Sequence, residues 1–148
     1  MMLMKIGKIA FLISVCPFIA TPQTNSWKVV RDKTNARKVS VPPNWKPSDV
    51  PGIANSEADK GELIISLWAG KTLKPMSEGM QKGSFVEKMI QNTSELIIYT
   101  SALRPDDAIS EYHIMGPGKG GVCSVILSAG RGLTEDQVKK IAATVGPN

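Results

Sequence analysis

Glu62-Leu63-Ile64-Ile65-Ser66-Leu67-Trp68 is the stretch on which the fold turns. Strand alternation puts Leu63, Ile65 and Leu67 on one face and Ile64, Ser66 and Trp68 on the other. Such near-continuous apolarity marks a central strand, covered on one side and partly covered on the other, with Trp68 completing the core behind a helix. The residues before it, from Pro51-Gly52 onward, are polar and read as a loop. Further upstream, residues 26–30 and 37–41 read as two edge strands separated by a polar turn. Between them and the loop, residues 42–47 must be irregular, because Pro42, Pro43 and Pro47 remove donors and fix φ.

Downstream of Trp68, residues 72–83 contain Pro75, Gly79 and Gly83, which leaves room for a weak helical turn at most. Residues 84–91 read as a helix. Ser84 and Glu87 have capping-box spacing, Phe85, Val86, Met89 and Ile90 form a stripe, and Asn92 suits a left-handed stop. Residues 95–101 are β by composition, and Arg104-Pro105-Asp106-Asp107 reads as a turn with Pro in its second position. Residues 109–115 and 121–128 then pair as a hairpin through Gly116-Pro117-Gly118-Lys119-Gly120. A last helix starts at a capping box of Thr134 and Gln137, with Leu133 and Val138 as a hydrophobic staple. Its buried face is Val138, Ile141, Ala142 and Val145, and Gly146-Pro147 ends it.

This order describes a single α+β domain over residues 26–148, an antiparallel sheet with flanking helices. An early strand leading into a Pro-x-x-Trp element (Pro42, Trp45), then a central strand, a helix, a three-strand meander and a terminal helix, resembles the PsbP-like superfamily. The resemblance runs from Trp27 to Val145 by element order, with Pro42 and Trp45 as its residue-level match. It implies a PsbP-like sandwich that binds or assembles other proteins. It carries no shared catalytic set.

The first twenty residues carry an address. Lys5 and Lys8 precede an apolar run, residues 9–20, interrupted only by Ser14, and polar residues follow. That layout is a secretory signal peptide, with the cut between residues 20 and 25. That twelve-residue run falls short of the roughly 20 that a membrane-spanning helix needs. Cys16, preceded by Val15 and followed by Pro17, lacks the small neighbour that export lipidation requires, and reads as one more apolar residue of the leader.

Removing the leader leaves one domain of about 125 residues, enough for a real core. Its one cysteine, Cys123, allows no intrachain disulfide, which excludes a stapled toxin or inhibitor and fits a bacterial periplasmic domain. The net charge of +5 falls to +3 without the leader, and residues 21–48 alone carry +5. Such a basic segment either protects a strand edge or attracts an acidic envelope protein or an anionic membrane surface. No stacking-aromatic motif accompanies it, so nucleic acid is not expected as a partner.

Four places carry possible chemistry. Trp45 among its prolines, with Arg37, Lys38 and Lys46 nearby, forms a partner-binding anchor if the loop holds it exposed, or plugs the sheet edge if it folds under. Trp68, Met76, Met80 and Phe85 would line a ligand cleft between sheet and helix in a small-molecule or lipid carrier, or fill the core. His113 is the lone histidine and could meet Cys123 across the hairpin as the nucleophile pair of a small hydrolase, although nothing stands out to orient the imidazole. Ser110 and His113 fall on opposite faces of a strand, against a dyad. The Gly116–Gly121 run lacks the spacing and the Ser or Thr of a phosphate loop and reads as a hairpin connection. No metal set and no cofactor motif is present. The balance points to an exported, non-catalytic protein-binding or assembly domain.

Overall fold

The computed structural model describes residues 26–58, 60–102, 111–118, 120–129 and 132–148. The leader and its cut site, the turn at residues 104–107 and Ser110 lie outside the described residues.

Among the described residues ten strands form two antiparallel sheets, accompanied by two helices. Strands β1 (Lys28–Arg31) and β2 (Arg37–Val41) pair as a hairpin, Val30 opposite Val39. Asp32 shapes the connection: its carboxylate accepts from the Thr34 hydroxyl and from the Thr34 and Arg37 N–H groups. The two strands are not both edges. The last strand, β10 (Gly146–Pro147), adds to the other side of β2, so residues expected only to end a helix complete a three-stranded sheet.

The chain then turns at Pro42–Trp45, where the Trp45 N–H donates to the Pro42 carbonyl at 2.9 Å. Pro43 in the second position supplies the φ this turn needs. Short strands β3 (Lys46–Pro47) and β4 (Ile53–Ser56) follow where loop was expected, and Pro47 is tolerated because β3 is an edge. They lead into β5 (Gly61–Ala69), the strand on which the sequence argument turned. It stands third in a seven-stranded sheet of order β3-β4-β5-β9-β8-β7-β6.

The next segment departs from expectation. Residues 73–82 form helix α1 (Leu73–Lys82), and the expected helix at residues 84–91 is instead strand β6 (Phe85–Asn92). Pro75 is no obstacle to α1, because it sits in the first turn, where its missing N–H would have had no helical partner. Strand β6 pairs with β7 (Ile97–Ala102) through two bulges, at Glu87 and Ile90. Strands β8 (Glu111–Gly118) and β9 (Gly121–Ala129) make the expected hairpin, with Gly118 opposite Gly121 and Gly120 at φ 82°. Helix α2 (Glu135–Ala142) starts at the expected capping box, with Gln137 N–H on Thr134 Oγ1 and Thr134 N–H on Gln137 Oε1.

The layers follow from which residues alternate inward. One face of the large sheet (Leu63, Ile65, Ile98, Ile114, Val125, Leu127) shares a core with Val30, Val39 and Val41 of the small sheet and Val138, Ile141 and Ala142 of α2. The opposite, outer face is covered only in part. There Ile97, Tyr99, Met115 and Val122 pack under Leu73, Met76 and Met80 of α1.

Candidate functional site

Trp45 is fully buried in the main core. The turn folds it under, and its six-membered ring lies over Gly61, where an added Cβ would stand 2.8 Å from Cη2. Lys28 Nζ holds the Trp45 carbonyl at 3.0 Å. Trp45 therefore plugs the sheet and is no exposed anchor. Arg37, placed with it as a contact residue, is also buried, at 4% exposure, because strand alternation turns it inward with Val39 and Val41. Lys38 is half-buried and Lys46 exposed. The four residues do not form one surface.

The cleft residues fare differently. Trp68, Met76 and Met80 come together with Lys71, Pro75 and Gly79 around an open cavity of about 400 Å³ beside α1. Phe85 does not join them. It pairs with Ala102, one step out of phase with the Ser101 and Tyr99 positions that face α1, so it stands on the other face of β6. Trp68 does not complete the core either. It is 46% exposed, and Ile64, on the same face, is 39% exposed. Helix α1 has only ten residues, about 15 Å at 1.5 Å each, and does not reach across β5 and β4. The uncovered part of the face runs through Trp68, Ile64 and the half-buried Ile126 and Ile53, which are linked by the register of β9, β5 and β4. Lys46 lies at its edge, opposite Asn55, in phase with Ile64.

His113 does not meet Cys123. The β8–β9 register pairs His113 with Ile126 and Cys123 with Gly116, which puts the two side chains on opposite faces. Cys123 lies in the main core, and burial pushes its thiol up to about 11, with Arg37 pulling down and Asp32 pushing up by less. A thiol at that value is no nucleophile at neutral pH. His113 instead meets a residue the sequence reading did not single out. Ser101 Oγ lies 2.8 Å from His113 Nε2, and the His113 ring stacks on Tyr99 at 4.6 Å. The contact comes from the β7–β8 register, which pairs Tyr99 with His113 and Ser101 with Glu111. That register could not be read from composition.

A serine within reach of a histidine invites a dyad, but the geometry is that of a structural clamp. Glu111 Oε2 approaches the same nitrogen, at 3.8 Å, while Nδ1, where an orienting carboxylate would sit, has no hydrogen-bond partner among the described residues. Ser101 and His113 are both buried. Burial pulls the imidazole below its ordinary value, and Glu111 raises it by less. The unfolded chain therefore protonates first. Stability should be full above the unfolded value of 6.5 and fall as pH drops from there toward the lower folded value. Urea titrations between pH 8 and 5 should show this slope in the native chain and lose it in His113→Gln. An equal slope in both would remove His113 from the account. Among the described residues no group of three or more His, Cys, Asp or Glu could hold a metal.

The fold is similar to that of cyanobacterial PsbP. The solved structure is the solution structure of CyanoP from Synechocystis sp. PCC 6803, at 12% identity over 92% of this chain and 99% of that one, with a TM-score of 0.45. At that identity no residue role passes from it to this chain. No family model and no curated protein matches the chain.

Proposed function

We propose that this chain is an exported, non-catalytic domain of the bacterial envelope that recognises a protein partner through the uncovered part of its outer sheet face. One observation carries the proposal: a tryptophan 46% exposed and an isoleucine 39% exposed share one face of a central strand, where a short helix leaves them open. An exposed large aromatic beside aliphatic neighbours and a charged rim has the composition of an interface hot spot. Lys46 and Lys71 supply rim charge for an acidic partner. Export rests on the basic and apolar leader.

Affinity capture from the host envelope tests this reading, with Trp68→Ala beside the native chain. Trp68→Ala should lower recovery of the partner at least tenfold, matching about 1.4 kcal/mol or more for an interface anchor, and leave the melting temperature nearly unchanged. Unchanged capture would overturn the surface assignment. Capture by anionic vesicles in place of a protein would replace the partner. A small molecule retained in native mass spectra, and lost with Trp68→Ala, would favour the carrier reading of the cleft beside α1.

A further inference from the structure

The small sheet has a second face, turned away from the core. Alternation sends Val30, Val39 and Val41 inward, so Val29 and Arg31 of β1 point out beside their partners Ser40 and Lys38 of β2. Trp27, two residues before Val29, is 37% exposed. Val50 is 56% exposed and meets Val29 and Lys33 across a shallow cavity of about 280 Å³ along the side of β1. The cations here do not guard an open edge, because residues 48–53 already lie along β1. A Cβ on Gly52 would stand 3.7 Å from the Asp32 Cα and 3.8 Å from the Arg31 carbonyl oxygen. Among the described residues Arg31, Lys33 and Lys38 form no ion pair, and Arg31 Nε donates to a neutral group, Asn148 Oδ1, at 2.9 Å. Asp32, the one acid in residues 26–48, is buried with its carboxylate turned to the Thr34 and Arg37 N–H groups. Against the three cations stands Asp49, exposed beside Val50.

We infer that this face docks on an anionic membrane surface, with Arg31, Lys33 and Lys38 at the headgroups and Trp27 and Val50 entering the interface between headgroups and chains. Tryptophan is at home at that depth, and basic side chains are drawn to anionic lipid within a Debye length of it. The mixing of charge and apolar side chains decides for lipid over an acidic protein. The centre of a protein interface is depleted of charge, whereas here cations alternate with Trp27, Val29 and Val50 over one face. A lipid surface accepts that mixture, because each apolar tip can sink while its charged neighbour stays with the headgroups. The inner faces of the two sheets share one core, so this face and Trp68 look out from opposite sides of the sandwich. It stands or falls without the partner surface proposed above.

Cosedimentation with vesicles tests the inference, comparing equal parts of phosphatidylglycerol and phosphatidylcholine with phosphatidylcholine alone. The native chain should bind the anionic vesicles more than about tenfold more tightly than the neutral ones. Changing Arg31, Lys33 and Lys38 together to Gln should weaken that binding about a hundredfold, at about fivefold per cation. The same change at Lys71, Lys74 and Lys82 around α1 removes equal net charge and should weaken it no more than about twofold, because those side chains lie beyond the reach of the screened field. The comparison of the two triple variants holds whatever the leader adds, since both carry the same N terminus. Trp27→Ser should weaken binding and abolish the blue shift of tryptophan emission that vesicles induce, while Trp68→Ala should keep both. Equal losses in the two triple variants, or binding unchanged in Trp27→Ser, would overturn the inference. So would tighter binding of soluble poly-glutamate than of the anionic vesicles, which would give the face to an acidic protein.

Discussion

Trp45→Ala should cost about 3–5 kcal/mol of folding stability, the usual loss for a fully buried aromatic truncated to a methyl group. Against a total of about 5–15 kcal/mol for a domain of this kind, that is enough to leave a large unfolded fraction on warming. The ring contacts no solvent and sits where three segments converge: the Pro42–Trp45 turn, the start of β5 at Gly61 and the main core. A double-mutant cycle sharpens the expectation. With the indole present, Gly61→Ala pushes a methyl to 2.8 Å from Cη2 and 3.0 Å from Cζ2, an overpacking that should cost about 1–3 kcal/mol. With Ala at position 45 most of that cost should vanish, since the remaining close neighbour is the Ser128 carbonyl at 3.2 Å. Equilibrium urea denaturation of the four proteins reads the coupling directly. A Trp45→Ala loss below about 1 kcal/mol, the range of an ordinary surface change, would return this residue to the surface.

The contrast with Trp68 shows what the sequence could and could not convey. Trp45 stands between Asn44 and Lys46 and Trp68 between Leu67 and Ala69, yet the first is buried and the second exposed, so only tertiary structure sorts them. Trp45 follows a turn that aims it inward, whereas Trp68 ends an alternating strand on the face that a short helix fails to cover. Strand alternation was legible: Leu63 and Ile65 are buried, Ile64 is exposed, and Cys123, Val125 and Leu127 share the core face as expected. The start of the last helix was legible too, because its cap and the Val138, Ile141 and Ala142 stripe agree with each other, although the helix ends at Ala142, short of the expected Val145.

The exchanged helix and strand have a physical cause. A regular strand alternates with period two, but each bulge in β6 inserts one residue. With extra residues at Glu87 and Ile90, the positions paired on one face are Val86, Met89 and Asn92, and those on the other are Phe85, Lys88 and Gln91. Three-residue spacing imitates a helical stripe, and the Ser84–Glu87 box completes the imitation. Ser84 in fact donates its hydroxyl to the Met80 carbonyl at the end of α1. The converse error at α1 came from composition. Pro75 and Gly79 lower helix propensity, but one stands in the first turn, and nothing lies within 4 Å of a Cβ placed at the other. The Ser101–His113 contact was hidden for another reason: it depends on the register between β7 and β8, whose connection at residues 103–110 fixes no pairing by sequence alone.

Ile141→Ala should cost about 2–5 kcal/mol, second only to Trp45→Ala. Ile141 is fully buried and shares one core with Val39 of the small sheet and Val125 of the large one. Helix α2 is also tied to β2 by Thr144, whose Oγ1 accepts from the Ser40 N–H at 2.8 Å and donates to the Ile141 carbonyl at 2.7 Å. The helix is thus a structural layer and not a lid. That distinction is measurable by amide hydrogen exchange. If α2 opened independently, Ile141→Ala would speed exchange in residues 135–142 while leaving β5 and β9 protected. Because the core is continuous, the amides of α2, β2, β5 and β9 should lose protection together and by the same free energy. Thr134→Ala supplies the scale, since removing the cap alone should cost about 0.5–2 kcal/mol and fray only the first turn. Exchange confined to α2 in Ile141→Ala would mean that the two sheets hold together without the helix.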